Sequence, residues 1–194
     1  MKKKKIKKVV IKVGSSLIAN YKTGLPKLNW INSFIQDLTF LLKKKIKIII
    51  VSSGAIAIGR KRIGFFKKKL KLDEQQAAAS VGQIYLINYY KKVFNRKKVE
   101  ISQVLLTLDD TIKNEKKINA KKTINKLIEK NIIPIINEND TVATDEIKFG
   151  DNDRLSARVA EIIKADLLIL LSDVTGLYDK DPKKNKKSRL IKEV

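Results

Sequence analysis

In 194 residues the chain carries 43 Lys and Arg against 20 Asp and Glu, a formal net charge of +23, and has no Cys and no His. This excludes disulfides, thiolate catalysis, Cys-bound zinc and imidazole acid–base chemistry, leaving proton or metal work to carboxylates, lysines and backbone. At 43% hydrophobic residues the chain can bury the core of one domain, and with no apolar run of 18 residues nothing in it reads as a membrane span.

The lysine-led start resembles a signal peptide superficially, but Lys12 interrupts its apolar stretch. "KKVVIKVGSSLI" reads instead as a short buried strand entering a Gly-Ser turn. Residues 28–45 carry Leu28, Ile31, Ile35, Leu38, Leu41 and Leu42 at helical spacing. Ile46 to Val51 is a second buried strand, followed by Ser52-Ser53-Gly54 opening a helix. A long helix is expected over 73–96, with Asp73 as its cap. "VEISQVLLT" is a third strand, 114–130 an amphipathic helix and "IIPII" a fourth strand. "GDNDRLSARVAEIIKA" is a capped helix, "DLLILLSD" a fifth strand, and "DKDPKKNKKSRL" the most loop-like stretch.

Strands apolar on both faces, alternating with helices, indicate a parallel sheet covered on both sides. No internal repeat or linker interrupts residues 1–194. In open α/β sheets ligands bind beyond the carboxyl ends of the strands. The turns at Gly14 and Gly54 and the acid-rich stretch near 140 each follow a strand.

The charge invites a nucleic-acid reading, but only six of the 43 basic residues are Arg, and the lysines are spread through every segment. Arg, with its bidentate fork, is the usual reader of bases and phosphates. Drift of an AT-biased coding sequence explains the abundance of Lys, Ile and Asn. Nonspecific attraction to polyanions follows from the charge in either case.

Four segments carry chemistry. In "KVGSS", Lys12 is a lone cation in an apolar strand, placed to face a site or water, and Gly14 lets an anion approach the backbone. A strand-edge lysine in a lysine-rich chain has the same signature. "VSSGAIAIG" puts Ser53 and Gly54 at a helix N-terminus, suited to a carboxylate or phosphate, although many such turns merely cap with Ser. "INENDTVATDEIKFGDNDRLSA" holds six of the chain's 20 acids: Glu138, Asp140, Asp145, Glu146, Asp151 and Asp153. Asp151 or Asn152 could simply cap the following helix. That does not account for the acids ending the preceding strand, which suit an ammonium, a lysine or a Mg²⁺-bound phosphate. "LLSDVTGLYDKDP" ends a strand in Ser172-Asp173 and turns at a Gly, a loop able to wrap a nucleotide. There is no "GxxxxGK[ST]" and no "GxGxxG".

Taken in order, "KVGSS", "VSSGAIAIGR", "AAASVGQ", "QVLLT", "NIIPIINENDTVATDEIKFGDNDRLSARVA" and "LLILLSDVTGLYDKDP" resemble the amino acid kinase family, and within it the glutamate 5-kinases. The resemblance covers nearly the whole chain, and the block from Asn131 to Ala160 is its most specific part. It implies a three-layer α/β/α sandwich with a mostly parallel central sheet, incomplete at its C-terminal end. The implied reaction moves the γ-phosphoryl of Mg-ATP to the side-chain carboxylate of L-glutamate, the first step of proline biosynthesis. Mg²⁺ would ride on the nucleotide, with no protein-bound metal. Lys12 would contact the phosphates and Asp153 would orient that lysine. Ser53, Asp140 and Asn152 would hold glutamate, and Ser172 and Asp173 would line the nucleotide site. A cytoplasmic homo-oligomer is expected.

Residues 1–194 would then form the acceptor-binding part and the start of the ATP-binding part of one kinase domain. The family's further adenine-binding loops, its second phosphate-binding lysine and the PUA domain of many members have no counterpart in them. The alternative from another class is a non-catalytic basic protein of the same fold that binds nucleic acid or a partner subunit.

Overall fold

Residues 5–66, 69–142, 151–182, 185 and 187–193 are described by a computed structural model. Five strands, β1 (Lys8–Val13), β2 (Lys47–Ser52), β3 (Ile101–Leu106), β4 (Ile133–Glu138) and β5 (Leu167–Leu171), form one sheet in the order β3-β4-β2-β1-β5. Every strand pairing is parallel. The helices are α1 (Ser15–Ile18), α2 (Leu28–Lys43), α3 (Ala55–Arg62), α4 (Leu72–Asn95), α5 (Asn114–Glu129) and α6 (Asp151–Ile162). Alternation within the central strands divides the core between two faces. Val9, Ile11, Val13, Ile48 and Ile50 pack toward α2, α3 and α4. Val10, Ile49, Val51 and Ile136 pack toward α5 and α6. The result is the parallel sheet covered on both sides that the apolar strands predict, in the α/β/α arrangement that the family resemblance implies.

Each helix is placed by its stripe. Ile31, Phe34, Ile35 and Leu38 bury α2. Ala120, Ile124 and Ile128 bury α5. Leu155, Val159 and Ile162 do the same for α6. Leu28, expected in the α2 stripe, is exposed at the helix's first position, and Phe34 supplies the missing bulk. Asp73 does not cap α4, which begins one residue earlier at Leu72 with Lys71 as its N-cap. The Glu74 carboxylate closes that end by accepting the Lys71 backbone N–H at 2.9 Å. The tail expected to be loop-like is partly paired: Tyr178 bridges Leu190 antiparallel, and Ile191 N–H donates to the Leu177 carbonyl at 2.8 Å.

Helices α3 and α4 meet backbone to backbone. A Cβ on Gly59 would stand 1.9 Å from the Ala78 carbonyl oxygen, and one on Gly82 would stand 1.8 Å from that of Ala55. Only hydrogen fits at either position. This crossing sets where the start of α3 lies relative to the middle of α4.

Candidate active site

All five strands deliver their C-terminal ends to one edge of the sheet, and a cleft of about 380 Å³ opens there. A cavity of similar size, about 390 Å³, lies where α2 ends and β2 begins, beside the C-terminal end of α5. It is mostly aliphatic, its Lys47 is bound to Asn131 Oδ1 at 2.7 Å, and no set of polar groups converges on it. The strand-end cleft is therefore where chemistry belongs.

Lys12 sits one residue before the end of β1, flanked on both sides by paired strands, and is only 8% exposed. Strand alternation turns it away from the α2–α4 layer and toward α6. There its Nζ meets Asp153 Oδ1 at 2.6 Å. The lysine side chain is 11% exposed and the aspartate 44%, so the carboxylate bridges the buried ammonium to the open cleft. Ser156 Oγ donates to the Asp153 carbonyl at 2.7 Å, closing the first turn of α6. A buried ammonium needs a partner of this kind, since an unpaired charge in a sheet is strongly disfavoured.

Gly14 follows β1 with an ordinary extended backbone, φ −68° and ψ 149°. Its value is room. A Cβ there would lie 3.7 Å from Lys12 Nζ and 3.3 Å from the Leu171 carbonyl oxygen. The glycine N–H is given to the Leu171 carbonyl at 3.1 Å, so what the residue leaves beside the ammonium is space for an anion and not a free backbone donor.

The next strand end is tied to this one, with Ser53 N–H donating to the Val13 carbonyl at 3.0 Å. Gly54 caps α3 with φ 113°, a conformation that side-chain-bearing residues rarely adopt, so the chain can turn sharply into the helix. Ser53, Gly54, Ala55 and Ile56 all line the cleft. The first turn of α3, with its unpaired N–H groups, forms one wall. Behind it, Ser52 Oγ lies 3.0 Å from the hydroxyl of fully buried Tyr90, and also donates to the Ser53 carbonyl at 3.1 Å. Burial pushes the Tyr90 phenol well above its ordinary range, outweighing the Ser52 bond, so it stays neutral.

From the far side of the sheet, Asn152 at the start of α6 reaches over the strand ends. Its Nδ2 donates to Ser53 Oγ at 2.9 Å and to Asn137 Oδ1 at 3.1 Å. Asn137 Nδ2 in turn donates to Gln83 Oε1 on α4 at 2.7 Å. Glu138 and Asp140 line the cleft next to this chain of amides.

All seven residues singled out from the sequence, Lys12, Ser53, Asp140, Asn152, Asp153, Ser172 and Asp173, line this one cleft. Asp145 and Glu146 lie outside the described residues, as does the Asp151 side chain. Among the described residues no group of three or more acids is arranged to hold a metal ion. Sequence reasoning missed Asn137, Gln83 and Tyr90. A signal did exist for Gln83: it interrupts an otherwise apolar stripe of α4, between Ala79 and Leu86. No described helix is long and apolar enough to cross a membrane.

A sequence model of the amino acid kinase family matches residues 7–194. Among curated relatives, glutamate 5-kinase of Pelagibacter ubique (strain HTCC1062) is 52% identical over 186 residues, which is 96% of this chain and 50% of that protein. Glutamate 5-kinase of Bradyrhizobium diazoefficiens is 47% identical over 185 residues, 95% of this chain and again 50% of the relative. The chain thus spans about half the length of the curated relatives it matches. Among solved structures, the isopentenyl phosphate kinase of T. acidophilum superposes with a TM-score of 0.64 at 17% identity, covering 96% of this chain and 79% of that one. The aspartate kinase of Synechocystis gives 0.60 at 13% identity, covering 96% and 32%. At those identities the two structures speak for the fold alone.

Proposed function

The chain belongs to the amino acid kinase family, and from that premise we propose that its cleft serves transfer of the γ-phosphoryl group of Mg-ATP to the side-chain carboxylate of L-glutamate. The product is L-glutamyl 5-phosphate, the first intermediate of proline synthesis. ATP and its Mg²⁺ are substrate in this reading, and a cytoplasmic homo-oligomer remains part of it. Residues 1–194 supply the acceptor side of the domain and the start of its nucleotide side.

The observation that carries the reading is the pair Lys12–Asp153 at 2.6 Å, standing in the same cleft as Ser53 and Asn152. Two anions have to meet, a carboxylate and a polyphosphate. A carboxylate oxygen of glutamate attacks the γ-phosphorus, the bond to the β–γ bridging oxygen breaks, and ADP leaves with that oxygen. Such a transfer asks for alignment and for positive charge at the moving group, with no nucleophile from the protein. Lys12, held by Asp153 beside the space that Gly14 leaves, supplies the charge. The N-terminus of α3 beside Ser53 suits the α-carboxylate of glutamate. Asp140 suits its α-ammonium, and Asn152 stands with it in the same cleft. Ser172 and Asp173, following β5, are placed for the nucleotide.

Calorimetry on the 194-residue chain tests the acceptor half. L-Glutamate should bind in preference to L-aspartate, and Asp140→Ala should weaken it by about 1–3 kcal/mol. Equal binding of the two amino acids, or an unchanged Asp140→Ala, would overturn the assignment. A coupled ADP-release assay tests the transfer, with glutamate-dependent turnover expected once the C-terminal half of a relative is supplied in cis or in trans.

A further inference from the structure

The second cavity, at the edge of the sheet away from the cleft, opens beside a proline. Six register pairs join β1 to β2 and six join β3 to β4, but only two, Ile50↔Ile135 and Val51↔Ile136, join β2 to β4. The Ile133 N–H donates toward β3, to the Glu100 carbonyl at 3.0 Å. Successive residues of a strand turn their backbone groups to opposite neighbours, so the nitrogen of Pro134 faces β2, and it has no hydrogen to give. The β2–β4 ladder stops there, and the cavity of about 390 Å³ lies just beyond. Leu42, Ile46, Ile48, Ile128, Ile132 and Ile133 line it with methyl groups. Its polar residues are Lys45, Lys47 and Asn131. Lys45 and Asn131 are exposed and hold matching places, each in the left-handed conformation that ends a helix, with φ 61° and 59°. Lys47 Nζ donates to Asn131 Oδ1 at 2.7 Å. An ammonium can only donate, so this bond fixes the amide: its oxygen is taken, and its NH₂ is the end left for a ligand. The mouth of the cavity therefore offers donors.

We propose that this cavity binds an aliphatic carboxylate, with the tail among the isoleucines and the head at Lys45, Lys47 and Asn131. Charge decides the head group. Helices α2 and α5 both end here, and each C-terminus brings about half a negative charge. Lys44, Lys45, Lys47 and Lys130, at or just after those ends, outweigh it. No Asp or Glu among the described residues lines the cavity, and the nearby Glu129 carboxylate is engaged by Lys126 at 2.7 Å. The Lys47 partner is a neutral amide, which leaves its charge uncompensated. Shape decides the tail. The lining holds no aromatic ring to stack a flat ligand, whereas a flexible alkyl chain packs against methyl groups on every side. A polyphosphate would meet the lysines and leave the aliphatic interior empty, so an amphiphile is what fits both parts. The site is separate from the cleft, and its ligand does not depend on what the cleft binds.

Octanoate is the probe, titrated into the 194-residue chain below its micellar range. In methyl NMR spectra the signals of Ile48, Ile128, Ile132 and Ile133 should shift together and saturate. Calorimetry over butyrate, hexanoate and octanoate should show binding tighten about tenfold for each two-carbon step, the gain from methylenes leaving water. Octylammonium, with the same tail and the opposite charge, should bind about tenfold more weakly or worse. Lys47→Met removes one charged donor and should weaken octanoate about tenfold with little change for 1-octanol. Ile132→Phe fills the space of the tail and should weaken both compounds. If Ile132→Phe fails to fold, the chain-length series and Lys47→Met still decide. No saturable shift at the four isoleucines would overturn the proposal. So would octylammonium binding as well as octanoate, an affinity indifferent to chain length, or inorganic triphosphate binding as tightly as octanoate, which would reduce the mouth to bare positive charge.

Discussion

Lys12 on the second-to-last position of β1 and Asp153 in the first turn of α6 are 2.6 Å apart, yet unequal in their access to water, with side chains 11% and 44% exposed. The two halves of the pair therefore respond differently to removal. In Lys12→Met the aspartate is left in a half-open cleft where water solvates it, and an apolar chain suits the strand. Stability should stay within about 0.5 kcal/mol of the parent. In Asp153→Asn the buried ammonium loses its charged partner, and a loss of about 1–3 kcal/mol is expected. Urea unfolding of both variants checks the asymmetry. In an extended, active form, Lys12→Met should lower glutamate-dependent ADP release by about a hundredfold or more.

Gly82→Ala should be among the most disruptive single substitutions in the molecule. Its Cβ would stand 1.8 Å from the Ala55 carbonyl oxygen, a backbone atom that no side-chain rotation can move. Separating α3 from α4 should cost about 1–3 kcal/mol or more. It should also weaken ligand binding, because Ala55 opens the helix that walls the cleft. A stability loss with unaltered binding would mean that α3 yields without disturbing its first turn.

Asp110 predicts a local acid sensitivity. Partial burial acts to raise its pKa. The Lys116 ammonium at 2.7 Å and the Thr107 N–H and hydroxyl, both at 2.8 Å, outweigh that and hold the carboxyl below the usual range. A carboxyl depressed in the folded state stabilises above its unfolded pKa, near pH 4, and loses that contribution as pH falls through the lower folded value. Asp110→Asn should thus lower thermal stability at pH 7 and flatten its dependence on pH below about 4. Thermal melts from pH 7 to pH 2.5 provide the check.

The β5 side of the sheet predicts association. Leu170 follows the same alternation as its partner Lys12, but lies at the sheet's edge among the described residues and is 53% exposed. Leu167, Leu177 and Leu190 are also exposed. An apolar edge strand of this kind templates pairing with another chain. The 194-residue polypeptide should scatter light as an associating species, with Leu170→Lys reducing the association. A monodisperse parent at tens of micromolar would contradict this.

The strands, the two-sided burial of β1, β2 and β4, and the strand-end candidates Lys12, Ser53, Asp140, Ser172 and Asp173 were legible in the sequence for a local reason. Asn152 and Asp153 came instead from the family resemblance, and the edge strands β3 and β5 are only partly buried. A parallel strand covered on both faces needs an unbroken apolar run, so a lysine inside one, a glycine after one and a cluster of acids at the end of another stand out against it. Helix stripes were equally readable because their period is short, and Leu28 failed only where the stripe reached the helix end. The hydrogen-bonded chain from Gln83 through Asn137 and Asn152 to Ser53 was not legible. Asn152 and Ser53 are 99 residues apart and Asn137 and Gln83 are 54 apart. Nothing in either neighbourhood says which amide meets which. The parallel register of β4 beside β2, and the glycine-to-carbonyl contact of α3 with α4, bring those four side chains together. Hydrogen-bond direction exists only once they meet, because an amide's donating end is chosen by its neighbour and not by its own residue type.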